Sequence, residues 1–282
     1  MALVTVEEVQ GRAAYKRFVE FAHLTFRDEP RWSPPLGSYE RGRLDPHNRF
    51  FDAGDGEYFL ARRGGTVAGR MTAHIAARGD ADGWFGFYDA IDDAAVTAAL
   101  VDRAMRWLRD HGCTTMSGPA SFTLADDLGV LVDGFDAAGT TGRPWHPPWY
   151  AAHLEAAGLA RVTEHPSWRL VPEGGPTLVF PAAKPRVPVV GRFVDPRIVL
   201  PGITAVPDLT PARGSAIALA RMARRRRWDT CTIVAIDGEP SELVPRLQTA
   251  ARAAGYVWII SPWTPDAAAP PETVHARFTT TL

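Results

Sequence analysis

From Val4 to Leu170 the apolar pattern switches repeatedly between a period of two and a period near 3.6. Strand-like runs arrive both in hairpin pairs and across helices. Hairpins make antiparallel neighbours and helical crossovers make parallel ones, so such a chain is restricted to an α/β (α+β) fold on a mixed sheet. Val4–Val6 predicts a first strand. Glu7–Thr25 predicts an amphipathic helix whose apolar positions are Tyr15, Phe18, Val19, Phe21, Ala22 and Leu24. Pro30, Pro34 and Pro35 break it, and a loop is expected to Phe51. Glu57–Arg62 and Thr66–Ala77 flank Arg63-Gly64-Gly65, a hairpin signal, and Trp84–Ala90 reads as the next strand. Ala94–His111 carries Ala99, Leu100, Ala104, Trp107 and Leu108 at helical spacing and stops at Gly112. A strand (Thr114–Gly118), a Gly- and Asp-punctuated segment (Phe122–Asp136), a helix (Pro147–Ala157) ended by Gly158, and a strand (Leu159–Leu170) follow. The order is β–α–β–β–β–α–β–α–β.

At 282 residues the chain has length for about two domains. Pro172, Pro176, Pro181, Pro185, Pro188, Pro196 and Pro201 crowd one stretch, which predicts a first domain at 1–170, a linker at 171–202 and a shorter half at 203–282. In that half the pattern predicts strands at Ile203–Val206, Thr230–Ile236 and Tyr256–Ser261, helices at Pro211–Trp228 and Ser241–Ala254, and a loop at Ala267–Pro271. Ala98–Thr114 falls on Ala216–Thr232 at a constant offset, matching Arg103, Arg106, Arg109, Cys113 and Thr114 with Arg221, Arg224, Arg227, Cys231 and Thr232. An internal repeat of strand–helix–strand–helix–strand would produce this, as would chance likeness between Ala- and Arg-rich helices.

Charge and cysteine content narrow the function class. A net charge of −1 gives no global attraction to nucleic acid or a membrane surface. Two cysteines, without metal-ligand spacing, make neither a disulfide framework nor a zinc site. No basic segment followed by an apolar one opens the chain, and no apolar run approaches the ~18 residues of a membrane span. A cytoplasmic protein without a metal is expected.

Several motifs carry a resemblance. They are Asp28-Glu29-Pro30-Arg31-Trp32-Ser33-Pro34-Pro35-Leu36, Asn48-Arg49-Phe50-Phe51, Tyr58-Phe59-Leu60-Ala61-Arg62, Val67-Ala68-Gly69-Arg70 and Gly86-Phe87-Tyr88, then Gly118-Pro119-Ala120-Ser121-Phe122, Asp126–Asp136 and Pro147-Pro148-Trp149-Tyr150. In this order, over residues 15–170, they resemble an uncharacterised bacterial GNAT-like acyltransferase family. The part after the prolines resembles an incomplete second GNAT-like half.

The resemblance implies an acyl-CoA pyrophosphate cradled by backbone N–H groups at a Gly-rich turn between the fourth strand and its helix. The corresponding turn here is Asp92-Asp93-Ala94-Ala95-Val96-Thr97, with no glycine and no cation. Two carboxylates suit a helix cap better than a phosphate site. The matching turn in the second half, Arg213, Gly214 and Ser215, is the better candidate for acyl-CoA, against a plain helix start with Pro211 in its first turn.

The resemblance also implies a tyrosine acid on the last helix. The equivalent position is Leu154, and Tyr150 lies one turn earlier. His146 could serve as base or bind a carboxylate, or simply bond to backbone. Asp126, Asp127, Asp133 and Asp136 could form an acidic cleft for an amine, or Asx-turns. Tyr88, Ser121 and Asp133 are the expected substrate contacts. His74 is expected to be a satisfied sheet histidine. Arg224–Arg227 closes a predicted helix; it reads as a solvated, dipole-complementing end or as a phosphate contact for coenzyme or RNA. The expected activity is N-acyl transfer to a small amine. The alternatives are a GNAT-fold enzyme with an aminoacyl-tRNA or carrier-bound acyl donor, and an inactive small-molecule-binding protein.

Overall fold

The computed structural model describes residues 3–33, 37–45, 47–48, 50–122, 127–139, 143–170, 187–189, 192–194, 215–221, 230–237, 248, 258–261 and 268–282. Strand β1 (Val4–Glu8) leads into helix α1 (Gly11–Thr25). Two short helices follow, α2 (Gly37–Leu44) and α3 (Phe50–Ala53), where the prolines predicted only loop. The meander of β2 (Asp55–Arg63), β3 (Thr66–Ile75) and β4 (Asp82–Ala90) falls where the alternation placed it. Its first turn uses Gly64 and Gly65 at φ 58° and 84°, a left-handed conformation that glycine adopts without penalty.

Helix α4 (Ala94–Asp110) starts at Asp93, whose carboxylate accepts the Ala95 N–H, and ends before Gly112 at φ 81°. Then come β5 (Thr115–Gly118), β6 (Val130–Asp133), α5 (Trp149–Ala156) and β7 (Ala160–Leu170). Beyond the prolines the described residues hold β8 (Val187–Val189), β9 (Arg192–Val194), β10 (Ser215–Arg221), β11 (Thr230–Asp237), β12 (Trp258–Ser261) and β13 (Thr273–Thr281).

Adjacent residues of a strand point to opposite faces, and β3 uses this to hold two layers. A Cβ on Gly69 would meet Val96 and Leu100 of α4. The next residue, Arg70, reaches the carbonyl of Phe18 in α1. Helix α4 therefore covers one face and α1 the other. The α4 side holds the larger core, including Met71, Phe85, Leu100, Leu108, Met116, Tyr150, Leu154 and Phe278. The α1 side holds a second cluster of Phe18, Val19, Leu44, Leu60, Phe87 and Phe122.

The strand order is β1-β2-β3-β4-β5-β13-β7-β12-β11-β10-β9-β8, with β6 also on β13. The first half's sheet is thus completed from the far end of the sequence. β13 pairs antiparallel with β5 and β6 along one edge and with β7 along the other. Residues 273–281, which the expected division assigns to the shorter half, thus pair with strands of the first.

Expectations for the second half are corrected in one respect. Residues 215–221, read as part of the Pro211–Trp228 helix, form β10, paired over its length with β11. Ala and Leu favour helix locally, but edge-to-edge pairing with β11 decides the conformation. At the constant offset residues 97–103 of helix α4 fall on strand β10, so that alignment does not set like elements against each other there. The strand predicted at 203–206, the helix at 241–254 apart from Gln248, and Arg224–Arg227 lie outside the described residues. No helix among the described residues is long and apolar enough to cross a membrane.

Candidate active site in the splay between β4 and β6

β4 and β5 run parallel but pair only at Asp82, Gly83 and Trp84 with Thr115, Met116 and Ser117. The chain then leaves the sheet through a cis Gly118–Pro119 bond, and β6 takes up the line beside β13. β4 continues alone to Ala90. It carries a bulge: Met71 of β3 faces both Phe87 and Tyr88, and Phe87 has φ 45°. A gap opens between β4 and β6, and the backbone groups on its two rims need partners.

The chain's own residues provide them. Ala120 N–H donates to the Phe85 carbonyl at 2.8 Å. Phe87 N–H donates to Ser121 Oγ at 3.4 Å. Ala90 N–H donates to the Tyr150 hydroxyl at 2.8 Å. On the opposite rim Leu131 N–H donates to His146 Nδ1 at 3.2 Å. Gly86 is required here, because a Cβ on it would stand 2.1 Å from the Ala120 carbonyl oxygen. Gly86→Ala is expected to push the 119–122 segment off β4 and destabilise the protein by about 1–3 kcal/mol. Urea unfolding measures this, and an unchanged midpoint would contradict the packing described.

His146 is buried and lies 5.5 Å, ring to ring, from Tyr150. Burial pushes its pKa down to about 4, with Asp127 opposing weakly, so the ring is neutral near pH 7. With Nδ1 accepting from backbone, its proton resides on Nε2. The expected base is therefore arranged as a neutral hydrogen-bond donor.

Tyr150 is fully buried and also donates to Asp89 Oδ1 at 3.4 Å. Asp89 Oδ2 accepts from Arg70 Nε at 2.8 Å, and Arg70 donates to Glu40 Oε1 at 2.9 Å. Glu40 Oε2 lies 2.9 Å from His23 Nε2. The chain His23–Glu40–Arg70–Asp89–Tyr150 joins α1, α2, β3, β4 and α5. Burial pushes Asp89 up to about 6 although Arg70 and Tyr150 oppose it. Burial also opposes ionisation of Glu40, but Arg70, and then His23, outweigh it and hold that carboxyl below its ordinary value. Burial, then Asp89, drives the Tyr150 hydroxyl well above its ordinary value.

Tyr150 and His146 therefore lie side by side, and Ser121 holds the same strand, β4, three residues before the N–H that Tyr150 holds. Tyr88 packs on Tyr150 at 4.7 Å between rings, but its hydroxyl turns to Thr97 of α4 at 2.8 Å. Asp127 is paired with Arg43 at 2.6 Å, and the Arg43 guanidinium lies over the Phe87 ring. Asp133 is a correction. It is exposed, accepts from its own Gly134 N–H and does not enter the gap. Asp136 is likewise exposed, near Arg31.

Asp126, Arg213 and Gly214 lie outside the described residues. Ser215 opens a strand, so the helix N-terminus that would have made it an anion site is not formed there. At the first half's turn Asp93 caps α4 and accepts from Arg63 Nε at 2.7 Å, while Asp92 lies 3.3 Å from His153. A pyrophosphate does not fit there, because a carboxylate already holds the helix N–H and the nearby guanidinium. No group of three His, Cys, Asp or Glu among the described residues is placed to hold a metal. Sequence reasoning misses Asp89 and Glu40 and meets Arg70 only as the end of the Val67-Ala68-Gly69-Arg70 motif, although an arginine inside the β3 strand pattern is a visible signal.

Comparison with known proteins establishes the fold. A tandem GNAT protein from the clavulanic acid biosynthesis pathway superposes on 99% of this chain and 98% of its own length, with a TM-score of 0.59 at 12% identity. A protein from Thermoplasma acidophilum classed with the acetyltransferases superposes on 99% of this chain and 100% of its own, with a TM-score of 0.51 at 8% identity. The chain has the GNAT acetyltransferase fold. In sequence it is 35% identical over 158 residues to Protein YghO of Escherichia coli strain K12, covering 54% of this chain and 40% of that protein. It is 33% identical over 168 residues to the bacterial ceramide synthase of Caulobacter vibrioides, covering 57% of this chain and 44% of that protein. The chain thus matches less than half the length of either relative. No protein-family model matches it.

Proposed function

We propose that this chain is an N-acyltransferase that joins an acyl group to a primary amine carried on a long apolar chain. The carrying observation is the splay, where a neutral imidazole donor and a Tyr–Asp pair converge between two strand rims whose N–H groups are held by side chains rather than by a neighbouring strand. The GNAT fold supports acyl transfer. The ceramide synthase relative supports the acceptor class, because a ceramide is the amide of a long-chain amino alcohol.

His146 Nε2–H donates to the acyl carbonyl oxygen, where negative charge develops as the amine adds. The amine's proton passes to the Tyr150–Asp89 pair, and a carboxyl near pKa 6 is suited to accept it at neutral pH. The tetrahedral adduct then collapses with the new C–N bond kept and the donor's C–S bond broken, and the departing thiolate takes that proton from the pair, so amide and free thiol leave together. Arg70 keeps Asp89 oriented. Asp93 already holds the Ala95 N–H of α4 and Arg63, which supports a carrier-bound acyl donor over acyl-CoA docked at the Asp92–Asp93 turn.

The test offers the purified protein a long-chain amine with acyl-CoA or an acyl carrier and follows amide formation by mass spectrometry. His146→Ala is expected to lower kcat about 10²–10³-fold. The base must be ionised, so kcat/KM is expected to rise with pH through about 6, and this acid limb should vanish in Asp89→Asn. Absence of amide with every donor would overturn the assignment.

A further inference from the structure

Arg70, Thr72 and His74 follow one another on the face of β3 that looks toward α1. Arg70 has partners through Nε and Nη1. Beside it, Thr72 Oγ1 and both ring nitrogens of His74 are buried with no hydrogen-bond partner among the described residues. Neither residue is exposed at all. Leaving three such atoms dry is unfavourable, and buried polar atoms in folded proteins almost always find partners. Among the described residues, the histidine expected to be satisfied within the sheet has no hydrogen-bond partner.

The surroundings are aromatic. His74 stands edge-on to Phe50 at 5.6 Å and to Phe122 at 5.2 Å. Phe122 stacks on Phe50 at 4.6 Å and touches Phe51, Phe87 and Tyr58 at 5.4, 5.1 and 6.3 Å. The Phe122 ring therefore fills a box walled by five rings. It is held there with φ at 74°, a left-handed backbone uncommon for a bulky residue. Its neighbour Ser121 lies on the rim of the splay. Phe50, Phe51 and Tyr58 are only half buried, so the box reaches the surface on their side.

We infer that this box is the seat of the acceptor's apolar chain, with Phe122 occupying it in the chain's absence, and with Thr72 and His74 reading an oxygen substituent on that chain. The ligand class is an amphiphile with a hydroxyl or keto group near its amine. The assignment rests on the acyl-transfer reading for the amine's direction, toward Tyr150 and Asp89. It is independent of that reading for the chain.

Calorimetric titration of the purified protein tests it with 3-hydroxydodecylamine, dodecylamine and butylamine, each below its micellar concentration. The hydroxylated chain should bind about tenfold more tightly than dodecylamine, and butylamine should show no binding. Thr72→Val and His74→Leu should each erase the hydroxyl preference while retaining dodecylamine, and both should unfold no earlier than the parent, since each removes an unpaired polar group. Phe122→Trp, which overfills the box, should abolish binding of both long chains. Equal binding of butylamine and dodecylamine would overturn the inference, as would a hydroxyl preference that survives both β3 substitutions. Chain-length-dependent binding without amide formation would sink the acyl-transfer reading alone, and amide formation indifferent to chain length would sink this one alone.

Discussion

Deletion of residues 273–281 is expected to abolish the cooperative unfolding transition of the first half. β13 is the seam of that sheet: without it β5 and β6 lose their partner on one side and β7 on the other. Ala276 and Phe278, both fully buried in the main core, leave with it. Phe278→Ala alone should cost about 3–5 kcal/mol, the range for emptying a buried aromatic site. Circular dichroism on heating reads the deletion, and urea titration reads the point variant. A synthetic peptide spanning 272–282 added in trans should restore the transition, since strand addition to an open edge is a stable mode of recognition. A deletion variant that still melts sharply would show that β5, β6 and β7 hold together by themselves.

The second large effect is electrostatic. Arg70 is the buried cation between Glu40 and Asp89. Arg70→Met keeps much of the volume but leaves two carboxyls facing each other in a dry interior, a change expected to destabilise by about 3–5 kcal/mol at pH 7. The loss should depend on pH in a defined direction. Without the guanidinium both carboxyl pKa values in the folded state rise above their unfolded values. The folded variant then takes up protons that the unfolded chain does not, so its stability is present at acid pH and falls as pH rises through those values. Urea midpoints at pH 5 and pH 8 should separate further for the variant than for the parent. Adding Glu40→Gln should recover part of the loss. An equal deficit at both pH values would mean that packing around the arginine stem, not its charge, is what matters.

What could be read from the sequence follows how local each determinant is. The β2–β3 hairpin rests on Gly64-Gly65 between two alternating runs, and α4 on Asp93, an apolar stripe and Gly112; all these signals lie within the element itself. α2 was hidden because its sequence, GSYERGRL, is polar, and what it buries is charge. Glu40 and Arg43 are inside only because Arg70 and Asp127, remote in sequence, neutralise them. β13 did carry a signal, with Val274, Ala276 and Phe278 alternating through a Thr-rich run, but its place between β5 and β7 is a property of the whole sheet. At the site, the resemblance points to Leu154 on the last helix, with Tyr150 one turn earlier and His146 just before that helix. The tautomer that makes His146 a donor depends on Leu131 N–H, which no spacing rule connects to it.

The insertion of β13 also sets an order of events during synthesis. A ribosome adds about 5–20 residues per second. β7 is complete at Leu170, and roughly a hundred more residues must be joined before Thr273 appears. For several seconds the nascent chain therefore presents β5, β6 and β7 with open hydrogen-bonding edges, the kind of surface that recruits holding chaperones or pairs with a neighbouring nascent chain. Closure of the sheet, and with it the rim of the splay formed by β6, is deferred until β13 has been made.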